Sequence, residues 1–281
     1  MTDSHPRGGV TRADRRIGRT GHPDVDRFLD RLRRQVESVL GSEFRGMYIG
    51  GSLALGAFDR ASDIDVVIAT REDVRRRLPD LELVHRQLAR ERVWFATELE
   101  CIYMSEVGLR RFDRAHAVHL KLDRGPGQGL QIDTMDESWV VHCHILRTAG
   151  ITWAGPDPTM LIEHVSPDDL RTAMRWLLAG WAAHLVDQPH GLRAPGYQSY
   201  TVLSLCRILY TLYAGAIASK LAAAAWAVTA LPPEWQDLIR QALADRLRDR
   251  VCASEDTIAQ TLRLIEYART SAGISKRLAN E

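Results

Sequence analysis

The chain has little that would tie it to an oxidising compartment, a membrane or a polyanion. Its four cysteines, Cys101, Cys143, Cys206 and Cys252, lie far apart with no C-x-x-C pair. That spacing offers no disulfide framework and suits the reduced core or surface thiols of a cytoplasmic protein. An excess of one charge is also missing. With 37 Lys and Arg against 36 Asp and Glu, the formal net charge is +1, too small for a field that draws a protein onto nucleic acid or anionic lipid. The dense basic run Arg75-Arg76-Arg77 is short and reads as the solvated face of a helix, so no nucleic-acid partner is expected. The most apolar long stretch, Ile208–Leu231, is broken by Lys220, and its uncharged part, Ile208–Ser219, is too short for a bilayer. A buried helix is expected there, and no membrane association. The opening residues MTDSHPRGGVTRADRRIGRTGHPD lack the apolar core of a secretory leader, and residues 1–22 read as a disordered basic tail. There is no internal repeat.

What is present can build a real core. With 281 residues and 45% hydrophobic content, the chain suffices for one large or two modest domains. After Pro23-Asp24, the segment VDRFLDRLRRQVESVL places Val25, Phe28, Leu29, Leu32, Val36, Val39 and Leu40 at helical spacing, with Gly41 just past the end. RGMYIGGS, DIDVVIA and VWFATELECIYMS read as strands, and REDVRRRLPDLELVHRQLARE between the last two as a helix. From Trp139 onward the period is helical nearly to the end. The proline-rich break AGITWAGPDPTMLIEHVSPDD marks a domain connection. The expected fold is α+β: a mixed sheet with helices over residues 23–155, followed by an all-helical bundle over residues 156–281.

The chemistry gathers in GGSLALGAFDRASDID, residues 50–65. On a strand, Asp63 and Asp65 share a face roughly 6.6 Å apart along the chain, two rises of about 3.3 Å. Like charges so placed repel unless a cation lies between them, and Mg²⁺ in phosphoryl-transfer sites uses one or two carboxylates plus phosphate oxygens. Gly50-Gly51-Ser52 just upstream makes a matching argument. Glycines let backbone approach a polyanion, and a helix starting near Ser52 would turn its free N–H groups and hydroxyl toward phosphate. Either piece alone is common in turns and strand ends; the two in order inside strand context are far more specific. A third carboxylate should come from a neighbouring strand. Glu100, flanked by Leu99 and Cys101, is favoured, with Glu98 and Asp133 as rivals; it could complete a metal shell or take a proton from an attacking hydroxyl. In the helical half, Arg207 lies amid Leu203, Leu205, Ile208 and Leu209, and Lys220 follows the Gly215 turn. A structural salt bridge would account for each singly, and a bound triphosphate would satisfy both.

Through GGSLALGAFDRASDIDVVI the chain resembles the nucleotidyltransferase superfamily. Through LRTAGITWAGPDPTMLI and YTVLSLCRILYTLYAGAIASKLAAAAWAVTALPPEWQDLI it resembles the aminoglycoside 3''/9-adenylyltransferases. The similarity runs in order over roughly residues 25–270. It implies an enzyme that moves AMP from ATP to a hydroxyl of an aminocyclitol antibiotic, releasing pyrophosphate, with Mg²⁺, two ions being expected, and acting as a monomer. Carried over by position, Gly51 and Ser52 would hold phosphate, Asp63 and Asp65 would bind Mg²⁺, Glu100 would be the general base, and Arg207 and Lys220 would grip the triphosphate. Trp139 would line the antibiotic pocket, near Asp133, Asp136 and Glu137. The chain departs from the streptomycin-modifying pattern in DQPHGLRAPGYQSY, where Asp187 is the single acid and Tyr197 stands where an Asp is expected. It departs again after LPPEW, where Arg246 falls in a stretch that often carries a Tyr. Spectinomycin or another acceptor gains by this. Two other readings stay open: a nucleotidyltransferase with a different small-molecule or macromolecular acceptor, and a non-catalytic nucleotide-binding sensor, against which three retained acids argue.

Overall fold

The computed structural model describes residues 18–248 and 252–278 and divides into two compact units. The first comprises residues up to 56, 63–134 and 143–163; the second comprises 57–62, 135–142 and 164 onward. Of the tail expected over residues 1–22, residues 1–17 lie outside the described range. The remaining five are anchored rather than disordered: Gly18 N–H donates to the Thr152 carbonyl (3.0 Å), and Thr20 donates through both N–H (2.9 Å) and Oγ1 (2.6 Å) to the buried Asp26 carboxylate.

The first unit is a mixed six-stranded sheet in the order β5-β4-β3-β2-β1-β6. Its strands are β1 (Phe44–Ile49), β2 (Ile64–Thr70), β3 (Leu99–Ser105), β4 (Val118–Leu122), β5 (Gln131–Thr134) and β6 (Ile151–Ala154). All neighbours are antiparallel except β2 and β3, which run parallel. A parallel pair needs a crossover, supplied here by a helix over Leu78–Leu88. The helices of this part of the chain are α1 (Pro23–Leu40), α2 (Gly51–Ala54), α3 (Leu78–Leu88), α4 (Glu106–Arg110), α5 (Trp139–Thr148) and α6 (Pro158–Leu161). In α1, Pro23 sits in the first turn and Asp24 and Asp26 face the positive helix end, while Val25, Phe28, Leu29, Leu32, Val36 and Leu40 are buried. Central β2 buries Ile64 and Val66 through Thr70, as a strand covered on both faces must.

The division between units falls at residue 163, not at 155. Pro158 opens α6 beneath an Asp157 cap, so this proline starts a helix rather than marking a linker. The segment is bound into the first unit: Tyr48 Oη donates to Pro156 O (2.9 Å), Arg147 donates to Thr159 O (3.0 Å) and Ile162 O, and Glu163 N–H donates to Arg110 O (2.8 Å).

The second unit is helical, with α7 (Pro167–Leu177), α8 (Ala183–Asp187), α9 (Tyr197–Ala214), α10 (Lys220–Ala230), α11 (Gln236–Asp245) and α12 (Glu255–Leu278). A π-helical turn, Leu178–Ala182, joins α7 to α8. The central element is α9, against which α7, α10, α11 and α12 pack, and it is buried nearly all round. It stops at Gly215, whose φ of 63° is the left-handed conformation a helix end favours.

Candidate active site

The three acids meet because of strand register. Parallel pairing sets Asp65 on β2 directly beside Glu100 on β3, and Asp63 shares the face of Asp65 two residues back. One oxygen from each of Asp63, Asp65 and Glu100 lies within 4.8 Å of the others. Of the rivals, Glu98 stands 3.9 Å from Arg124 Nη1, and Asp133 on β5 stands 3.8 Å from Lys121 Nζ. Neither joins the cluster. Partial burial, reinforced by the Asp63 charge, pushes the Glu100 carboxyl up to about 7, with Arg124 and Lys121 pulling the other way.

The glycine-serine turn is built against the same acids. Gly50 N–H donates to Asp65 O (2.9 Å), bringing the turn onto the start of β2. Gly51 has φ +50°, and a Cβ there would lie 1.6 Å from Asp65 Oδ2, so only glycine fits. Ser52 Oγ is buried with no hydrogen-bond partner among the described residues, and a buried hydroxyl of this kind points to an external partner. The helix expected to start at Ser52 is the single turn α2, beginning at Gly51. Converging carboxylates, a backbone that closes on them and an orphaned hydroxyl fit a hard divalent cation with a phosphate ligand. Asp63, Asp65 and Glu100 would hold the cation.

The remaining candidates, apart from Trp139, belong to the helical part of the second unit. Arg207 on α9 is half-buried, with no acidic partner among the described residues. Lys220, the first residue of α10, holds its ammonium 4.0 Å from the centre of the Tyr200 ring. Tyr200 in turn stacks on Tyr197 (5.7 Å, 14°) and meets Trp181 edge-on (6.4 Å, 89°), while Trp181 Nε1 donates to Tyr197 Oη at 3.0 Å. Tyr197 is thus one member of an aromatic cluster. The sequence reading missed Trp181 and Tyr200, because the π-helical turn that carries Trp181 breaks the 3.6-residue period. Asp187 is exposed at the end of α8. Trp139, expected to line a pocket, has no exposed surface and stacks on His142 (5.4 Å, 24°); burial makes it a core residue. Arg246, noted only as a departure, donates to Asp59 Oδ1 (2.8 Å) and Ser62 Oγ (3.2 Å). Arg124, beside Asp63, carried no signal in the sequence.

A glycine-serine turn and an Asp-x-Asp strand, completed by an acid from the parallel neighbour, define a nucleotidyltransferase, and residues 27–121 match the nucleotidyltransferase domain family. Residues 160–271 match the aminoglycoside adenylyltransferase C-terminal domain. With both modules in order, the chain belongs to the aminoglycoside adenylyltransferase family. It is 25% identical over 212 residues to a spectinomycin 9-adenylyltransferase of Staphylococcus aureus, covering 73% of this chain and 78% of that one. A spectinomycin 9-adenylyltransferase of Campylobacter jejuni is 22% identical over 247 residues, covering 83% and 90%. In fold, the chain is similar to the crystal structure of spectinomycin adenyltransferase AAD(9) from Enterococcus faecialis with ATP and spectinomycin. The TM-score is 0.68 at 15% identity, covering 88% of this chain and 98% of that one.

Proposed function

We propose that the protein transfers AMP from ATP to a hydroxyl of spectinomycin or a closely related aminocyclitol, releasing pyrophosphate. The observation that carries this reading is the convergence of Asp63, Asp65 and Glu100 beside the Gly51-Ser52 turn. The activity named for the Staphylococcus and Campylobacter relatives supports the choice of acceptor. Spectinomycin is favoured over streptomycin because the Asp187–Tyr200 stretch offers one acid and an aromatic cluster. Several guanidinium groups would want several carboxylates.

Each group then has a task. Asp63 and Asp65, with Glu100, would hold Mg²⁺, which would supply neutralisation of phosphate oxygens and of the charge on the leaving pyrophosphate. Gly51 lets the backbone approach the nucleotide phosphates, and the Ser52 hydroxyl, unpartnered among the described residues, donates to them. Arg207 and Lys220 grip the triphosphate, and Tyr197 and Asp187 contact the acceptor. The new bond joins the acceptor oxygen to the α-phosphorus as the bond from that phosphorus to the bridging oxygen breaks. The hydroxyl proton passes to Glu100, the carboxylate that β3 sets beside Asp65.

The test incubates pure protein with ATP, Mg²⁺ and either spectinomycin or streptomycin and measures pyrophosphate. Release with spectinomycin, falling at least about a hundredfold in Asp65→Asn, is the expected result. No release with either drug would overturn the substrate assignment, and release that survives Asp65→Asn would overturn the metal assignment.

A further inference from the structure

The loop between β4 and β5, Asp123–Leu130, brings a cation to the metal site that the family resemblance did not supply. Arg124 Nη1 lies 3.7 Å from Asp63 Oδ2 and 3.9 Å from Glu98 Oε2. Both distances exceed a hydrogen bond, so the guanidinium is held by charge alone, and 41% of its side-chain surface stays exposed. Lys121, the other cation whose charge reaches Glu100, is committed to Asp123 (2.7 Å) and Asp133 (3.8 Å). The loop backbone is fixed near Arg124 by Gly125 N–H donating to Thr97 O (2.6 Å), and it turns through Gly125 and Gly127 at φ +119° and +79°. The result is an anchored backbone carrying an exposed guanidinium.

We infer that Arg124, held by charge beside Asp63 and Glu98, is a triphosphate-binding residue whose guanidinium passes to the nucleotide phosphates when a divalent cation takes Asp63. The inference rests on reading this site as one that binds metal and ATP. A dication on Asp63 takes up much of the carboxylate charge that held the guanidinium, so the hold on Arg124 weakens. The metal brings a polyanion with it, and a planar guanidinium fork matches phosphate oxygens two at a time. Until then, Arg124 lowers the cost of keeping carboxylates together without a metal. Removing it should therefore have opposite effects on two affinities: metal alone binds tighter, because a competing cation is gone, and metal with nucleotide binds weaker, because a phosphate ligand is gone. A residue that merely braced the loop would weaken both.

The experiment titrates wild type, Arg124→Gln, Arg124→Lys and Glu98→Gln by calorimetry, first with Mg²⁺ alone and then with α,β-methylene-ATP in the presence of Mg²⁺. Arg124→Gln should weaken the analogue about tenfold or more while tightening Mg²⁺ alone several-fold, and Arg124→Lys should recover part of the analogue affinity. Glu98→Gln, which loosens the hold on Arg124 and leaves the metal ligands in place, should bind the analogue at least as tightly as wild type. An analogue affinity in Arg124→Gln within twofold of wild type would overturn the inference, as would weaker binding of Mg²⁺ alone. Wild type that fails to bind the analogue would overturn the nucleotide reading beneath it.

Discussion

Replacing Glu100 by Gln should stabilise the metal-free protein, and more so as pH rises. In the folded chain the Glu100 carboxyl titrates near 7, against an ordinary 4.5, because it is partly buried beside the Asp63 charge. The folded state therefore holds a proton that the unfolded state has lost between those values. Its stabilising effect is complete below pH 4.5 and gone above about pH 7. At about 1.4 kcal/mol per pH unit, the ionised form costs the folded state about 3 kcal/mol at pH 8. Gln keeps the shape and removes the charge, so Glu100→Gln should gain up to that amount at pH 8 and almost nothing at pH 4.5. The raw wild-type profile would hide this. Burial pulls His85 down to about 4, and that group stabilises the folded state above pH 6.5 and loses the effect as pH falls toward 4, the opposite slope over much of the same window. The measurement is thus a difference: urea unfolding of variant and wild type in EDTA at pH 4.5, 6 and 8. Adding Mg²⁺ at pH 8 should narrow the gap, since the cation restores wild type selectively. A gap that stays constant with pH within about 0.5 kcal/mol would refute the reasoning.

Two further substitutions probe the frame of the site. Gly51→Ala forces a side chain into a φ +50° backbone and against Asp65 Oδ2. It should cost about 1–2 kcal/mol from the backbone alone and displace a metal ligand, lowering both the unfolding midpoint and the affinity for Mg²⁺. Arg246→Ala removes an ion pair whose side chains are only 14% and 27% exposed. It should destabilise the helical unit by about 2 kcal/mol, and a double-mutant cycle with Asp59→Ala should show coupling of about 1 kcal/mol or more.

What was legible in the sequence was local. The Gly-Ser turn and the Asp-x-Asp pair could be read because strand alternation alone puts Asp63 and Asp65 on one face. The buried central helix could be read from the apolar residues on both sides of Arg207. Choosing Glu100 over Glu98 was harder, since the two share a strand face; what favours Glu100 is the β2–β3 register, which places Asp65 opposite it. Register is a property of two strands, and neither strand states it. Arg124 was illegible for a related reason: it sits in a glycine-rich loop without periodicity, and its importance comes from where β4 and β5 turn. Residues 18–22 read as tail because their partners, Asp26 and Thr152, are not adjacent to them in sequence. Trp139 was assigned from resemblance, although Val140, Val141 and Ile145 around it already spelled a core helix. The domain break was set at the prolines, yet Pro158 opens a helix that belongs to the sheet unit.

Residues 57–62 give the division of the chain a consequence for the chemistry. They lie in sequence between the Ser52 turn and the first metal-site acid, Asp63, yet they cluster with the helical unit. Arg246 fastens them there through Asp59 and Ser62, and Asp59 adds its own bonds to Ala61 N–H (3.0 Å) and Ser62 Oγ (3.0 Å). Asp63 is therefore one peptide bond from a residue that the helical unit holds. The two strands could bring three acids together without help from that unit. The chain passes without a linker from a segment that clusters with the helical unit into β2, the strand that carries Asp65.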